Sequence, residues 1–189
     1  MEFTLKNSKR NSVALEITPE GTLLVRAPMK YTKAQAEEFI QKNQQWISKH
    51  LPSILAKKQE IDRLSDTDIK EAKKAIKLIC TDLVKKYSVL MGVSPQNIKI
   101  TSATKRFGSC SAKNAICFSY YLMLYPYEAI AYVVVHELAH IKHHNHSKSF
   151  HKYVQQYLPE AVFYEKLLHP QYALYSNFEE NLKKARILL

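Results

Sequence analysis

Three residues carry the clearest chemical signal in the chain. His136-Glu137-Leu138-Ala139-His140 spells H-E-x-x-H. On a helix the two histidines lie one turn apart on the same face. Imidazoles placed that way can share one Zn²⁺, with Zn–N bonds of about 2.0–2.1 Å. Glu137, next to the first ligand, can take the proton of a water attacking a carbonyl or phosphoryl centre. The reading is therefore His136 and His140 as metal ligands, Glu137 as general base, and one Zn²⁺ per chain. The plainer alternative is a core helix with two satisfied histidines. Its surroundings favour the metal: Pro126 suits a helix start, Glu128 favours the positive end of the dipole, and Ile130, Val133, Val134, Leu138 and Ile141 recur at helical spacing. The pattern predicts a mostly buried helix over 126–142 with its ligands at the rim of the core.

Two histidines do not hold a catalytic Zn²⁺; three protein ligands and a water usually do. His146 lies six residues after His140. That count matches the metzincin motif, whose glycine falls where this chain has His143. A side chain there disfavours the left-handed exit that glycine allows, so Asn145 is expected to take the left-handed position before Ser147 caps the next helix. The competing third ligands are Glu160 and Glu165 on a following helix, as in gluzincins, with His143 and His144 behind them.

The elements that must position these groups can be read from periodicity. Val13, Leu15 and Ile17, then Leu23, Val25 and Ala27, alternate as strands around the turn Thr18-Pro19-Glu20-Gly21. Thr32 with Gln35 starts a helix to Leu51; Ala36, Phe39, Ile40, Asn43, Trp46 and Ile47 form its inner face, with Trp46 its largest anchor, and Pro52 is expected to stop it. Residues 52–64 read as a linker with helical character. Asp66 to Met91 is the longest helix, started by Asp66 or Thr67, with Cys80 and Leu90 on its apolar face and Gly92 after its end. Ile98–Thr101 and Ala115–Tyr120 read as strands, with the Arg106–Asn114 loop between them. Ser147 to Leu158 and Glu160 to Leu168 read as helices. Ser176-x-x-Glu179 reads as a capping box for a last helix to about Leu188. The fold class expected is α+β: a core with a small antiparallel sheet, a long helix and the H-E-x-x-H helix, plus an N-terminal β-hairpin and helix unit. The boundaries expected are 1–64, 65–170 and 171–189.

Composition narrows the partners. The chain has 189 residues, and 46% apolar and 24% charged content is ordinary for a globular protein. The longest apolar run, Ala129 to Val135, is far short of a membrane span, and no membrane association is expected. Cys80, Cys110 and Cys117 are odd in number and not in C-x-x-C spacing, which reads as free thiols in a reducing cytoplasm. With 28 Lys and Arg against 17 Asp and Glu, the net charge is +11. That favours anionic partners, nucleic acid or phosphorylated small molecules, although lysine on solvated helix faces explains it as well. Three glycines cannot build a phosphate-cradling loop, which removes the common nucleotide folds.

Three blocks carry a family resemblance: Arg106-Phe107-Gly108-Ser109-Cys110-Ser111, Tyr132 to His140, and Asn145-His146-Ser147-x-x-Phe150. Together they resemble the YgjP-like metal-dependent hydrolase family, itself similar to the SprT-like and minimal zincin peptidases. The resemblance is strong over 99–168 and looser over 2–51. It implies a zinc metallopeptidase with a zincin-like core, His136, His140 and His146 as ligands and Glu137 as base. The chain departs from the family pattern at Phe107, where Trp is usual, at Ser119, where Asn is usual, and at Phe150-His151, where Phe-Trp is usual. A strand segment between the helix bearing Trp46-Ile47 and the long helix is largely absent.

The 106–111 loop supplies the candidate substrate-binding residues, Arg106 and Ser109. Arg106 can pair with a carboxylate or phosphate or stabilise oxyanion charge, and an edge strand here can align an extended peptide. In the plain alternative Arg106 braces the loop and Gly108 only makes a turn. Tyr120, Tyr121, Tyr125 and Tyr127 invite an oxyanion role but are more often core residues. The leading function is zinc-dependent peptide hydrolysis on a peptide or protein substrate. The alternatives are hydrolysis of an anionic small molecule such as a nucleotide phosphoanhydride, a DNA-associated SprT-like factor, and a zinc-held module without turnover.

Overall fold

The computed structural model describes residues 2–189. Two compact units emerge, Met1–Gln59 and Glu60–Leu189. This single division at 59/60 compares with the boundaries expected at 64/65 and 170/171.

In the first unit β1 (Phe3–Ser8), β2 (Ala14–Ile17) and β3 (Leu23–Pro28) form one sheet in the order β1-β3-β2. β2 and β3 make the expected antiparallel hairpin, and β1 adds to β3 in parallel. Gly21 closes the hairpin turn at φ +84°, donating its N–H to Thr18 at 2.9 Å. Thr32 and Gln35 form the predicted capping box for α1 (Lys33–Lys42), and Ala36 and Ile40 close over Leu23, Val25 and Ala27.

In place of the single helix expected to end at Leu51 there are two. α1 ends at Asn43, whose side-chain amide donates to the Phe39 carbonyl at 2.7 Å, and α2 runs Gln44–Asp62 straight through Pro52. An internal proline costs about 3 kcal/mol or more in a helix. Packing offsets it: a Cβ on Gly21 would lie 2.5 Å from Leu55 and 3.5 Å from Leu51, so the hairpin turn grips the helix on both sides of Pro52. Trp46 is not the inner anchor. It is 38% exposed and stacks on His50 at 4.7 Å, while Ile47 takes the buried place.

The second unit is built on α3 (Asp66–Met91). Ser65, rather than Asp66 or Thr67, is its cap, in a reciprocal box with Asp68, and Gly92 ends it at φ +59°. Ile76, Ile79, Cys80 and Leu83 are buried as the period requires; Leu90 is 56% exposed and Met91 takes its place in the core. β4 (Asn97–Thr101), β5 (Gly108–Cys110) and β6 (Ala115–Ser119) form a second sheet, ordered β4-β6-β5. It is mixed rather than purely antiparallel: β5 is antiparallel to β6, but β4 is parallel to it. Ile116 and Phe118 point from β6 into the core. A 3₁₀ turn (Tyr120–Leu124) leads to α4 (Tyr127–Ala139), which packs on α3 as expected. α5 (Lys148–Tyr157) and α6 (Ala161–Lys166) pack on α4.

α7 (Tyr175–Ile187) packs on α3 and on the 3₁₀ turn. Asn181, buried, donates to the carbonyls of Met123 (3.1 Å) and Tyr125 (2.9 Å), and Asn177 to that of Leu124 (2.9 Å). The Ser176–Glu179 capping box does not form. Leu174 stands at the cap position without a side-chain bond, and Glu60 instead accepts the Tyr175 N–H at 2.7 Å. Among the described residues no helix is long and apolar enough to cross a membrane.

Candidate metal centre

α4 is apolar nearly all round, so it sinks into the core and leaves its chemical groups at its C-terminal end. His140 is the residue on which the helix closes. The exit needs no left-handed residue: Lys142 and His143 both donate N–H groups to the Ala139 carbonyl, at 3.1 and 2.9 Å. Asn145 accordingly does not take the positive φ expected of it; among the described residues Asn114 is the non-glycine residue that does. Ser147 precedes α5, but its hydroxyl meets Ser149 at 2.7 Å rather than capping the backbone.

The three histidines converge. Nε2 of His136 lies 3.3 Å from Nε2 of His140 and 3.0 Å from Nε2 of His146, and one ligand atom from each residue falls within 4.8 Å of the others. Tetrahedral Zn²⁺ with bonds of about 2.0–2.1 Å sets its ligand atoms about 3.3 Å apart, so the donor set fits the ion. Its electrostatics fit as well. Burial first, then the imidazoles of His140, His146 and His151, hold His136 down to about 3, and a metal needs the neutral ring. Nδ1 of His140 meets the His143 carbonyl at 3.0 Å; with its proton there, Nε2 keeps its lone pair. Nδ1 of His136 is buried with no hydrogen-bond partner, so packing sets that ring. Tyr132 lies 5.6 Å from it, and the fully buried Phe150 lies 4.9, 4.7 and 4.9 Å from the rings of His136, His140 and His146.

Among the described residues the group takes in none of the competing candidates Glu160, Glu165, His143 and His144. Glu160 accepts from the Tyr164 hydroxyl, and the His143 ring lies on Tyr153 at 5.1 Å. Glu165 stands by Tyr132 and, after burial, helps raise that phenol.

Glu137 is 6% exposed. Burial pushes its carboxyl up to about 7, with the Arg106 guanidinium pulling the other way. Its closest neighbour is a residue without a side chain: a Cβ on Gly108 would lie 2.5 Å from Oε1 of Glu137 and 2.7 Å from Cγ. Gly108 is an ordinary strand residue with no positive φ. The approach of Glu137 requires glycine here, not a turn, and nothing in the sequence signals that contact.

Ser109 faces the other way. It stands opposite Cys117 on β6, on the side away from Ile116 and Phe118, in a small recess of about 70 Å³ that Arg106 and Thr101 also line. Ladder alternation decides which backbone groups stay free. Ser119 donates to Phe107 at 2.8 Å and Ser111 to Ala115 at 2.9 Å, so 107, 109 and 111 turn their main-chain groups to β6. Those of Gly108 and Cys110 point out along the open edge of the sheet. Tyr120 and Tyr125 are buried in the core, Tyr121 packs on Tyr120 at 4.2 Å, and Tyr127 lies under Lys184.

The chain matches the YgjP-like family, described as a metallopeptidase domain, over residues 11–70 and 63–171. No curated protein and no solved structure matches it.

Proposed function

The chain belongs to the YgjP-like metallopeptidase family, and on that footing we propose that it hydrolyses peptide bonds with Zn²⁺ held by His136, His140 and His146. The observation that carries this is the convergence of three imidazole nitrogens beside a buried carboxylate. When bound, Zn²⁺ makes water a nucleophile near neutral pH and polarises a carbonyl. The chain's residues do the rest. Glu137 takes the proton of the attacking water at its carboxylate and passes it to the leaving amine nitrogen. Gly108 lets that carboxylate lie against β5. The outward N–H and C=O groups of Gly108 and Cys110 can pair with an extended substrate strand, and this open edge favours a peptide. Arg106, which lines the recess beside Gly108 and Ser109 and acts on Glu137, supplies a positive charge for a substrate carboxylate or developing oxyanion.

The second reading is phosphoanhydride hydrolysis of an anionic small molecule, which the Arg106 charge beside Glu137 favours. Three free cysteines support the cytoplasm as the compartment. The test is Glu137→Gln, assayed with wild type on casein, a peptide library and nucleoside triphosphates. The variant should keep its zinc and its melting temperature, while hydrolysis falls by roughly 10²–10⁴-fold. Turnover of triphosphates and no peptide would select the second reading. An unchanged rate in zinc-loaded Glu137→Gln would remove Glu137 from the chemistry.

A further inference from the structure

The carbonyl of Met91, the last residue of α3, is held from two sides. Nζ of Lys142 donates to it at 2.9 Å and the hydroxyl of Tyr153 at 2.8 Å. The Lys142 ammonium also lies 5.2 Å from the centre of the Tyr153 ring. The last carbonyls of a helix lack intrahelical donors, and the negative end of its dipole favours a cation. Both donors belong to the stretch that carries the metal ligands. Lys142 is two residues past His140. The next residue, His143, takes the Nδ1 side of His140 on its carbonyl at 3.0 Å and lays its ring on Tyr153 at 5.1 Å. Tyr153 is three residues past Phe150, whose ring touches all three imidazoles.

We propose that Lys142 and Tyr153 are positioning residues of the metal centre. They moor the 140–146 segment to the end of α3 and thereby hold the His143 carbonyl that orients His140. The inference rests on reading the three-histidine cluster as a zinc site. The segment from 140 to 146 has no glycine and no left-handed residue to set its course. Its shape comes from the hydrogen bonds at the end of α4 and from this mooring. Tyr153→Phe removes one oxygen and keeps the ring under His143. Lys142→Met removes the ammonium and keeps the stem.

The experiment uses the full chain, stripped of metal and titrated with Zn²⁺ against a chromophoric chelator, with the Co²⁺ form followed by its visible absorption. The double variant Lys142→Met/Tyr153→Phe should bind Zn²⁺ about 10–100-fold more weakly, with a shifted Co²⁺ spectrum and the single variants in between. Lys142→Arg should recover affinity. Lys86→Met, which strips a comparable ammonium from over Tyr87, should leave both readouts unmoved. An affinity and Co²⁺ spectrum like wild type in the double variant would overturn the proposal. So would a fall in melting temperature with no change in affinity, or an equal loss in Lys86→Met. A wild type that takes up no zinc would sink the zinc reading itself, and this inference with it.

Discussion

At the scale of single residues, the centre depends as much on one missing side chain as on those present. Gly108 is where Glu137 finds room, and a methyl group there would overlap the carboxylate. Gly108→Ala should therefore displace Glu137 and leave the histidines alone. Zinc content should stay at the wild-type level, measured by metal analysis, while peptide hydrolysis drops by roughly 10²-fold, the scale of an ångström-sized misplacement. Loss of zinc together with activity would show that β5 supports the ligands and not the base. The convergence of His136 and His140 was legible because a helix turns sequence spacing into a shared face. Two placements were not legible. Ser109 lies on the face of the sheet opposite Gly108, which depends on strand register. Gly108 against Glu137 is a contact between elements, and no local pattern encodes it.

At the scale of elements, local signals served where the chain answers to itself. The Thr32–Gln35 box, the period of α3 as far as Tyr87 and the Gly21 turn all depend on neighbours within a few residues, and these formed as read, while at the end of α3 Met91 is buried in place of Leu90. Misreadings arose where distant packing outweighed a local rule. Leu51 and Leu55 against Gly21 carry α2 past Pro52, and Glu60 displaces the Ser176 cap at α7. The parallel pairing of β4 with β6 was equally hidden, since alternation shows a strand but not its partner's direction. Ser65 gives a measurable case. Its hydroxyl accepts the Asp68 N–H, and Asp68 returns the bond to the Ser65 N–H at 2.9 Å. Ser65→Ala should cost about 0.5–2 kcal/mol, read as a lower midpoint in urea with an unchanged slope. Because the cap lies at the opposite end of α3 from Met91, zinc affinity should not move. A change in affinity would mean that the two ends of α3 communicate.

At the scale of the whole molecule, a metal held by the three histidines would be linked to the fold. An ion that binds the assembled histidines and not the unfolded chain stabilises the second unit by mass action, by about 2.7 kcal/mol at a free concentration of 100 times Kd. Stripping zinc with a chelator should lower the melting temperature of the Glu60–Leu189 unit, and adding it back should restore the transition. The unit Met1–Gln59 has its own core around Leu23, Val25 and Ile40 and should show no direct stabilisation by the ion. A melt indifferent to zinc would mean that the cluster forms no site in solution. α7, which braces the second unit, follows all three histidines in the chain. Asn177 and Asn181 of α7 hold the carbonyls of Leu124, Met123 and Tyr125, just ahead of α4. During synthesis the three histidines therefore leave the ribosome before this brace does. A nascent chain stalled short of α7 carries the three histidines and Glu137 but lacks the bonds that seat the turn feeding their helix.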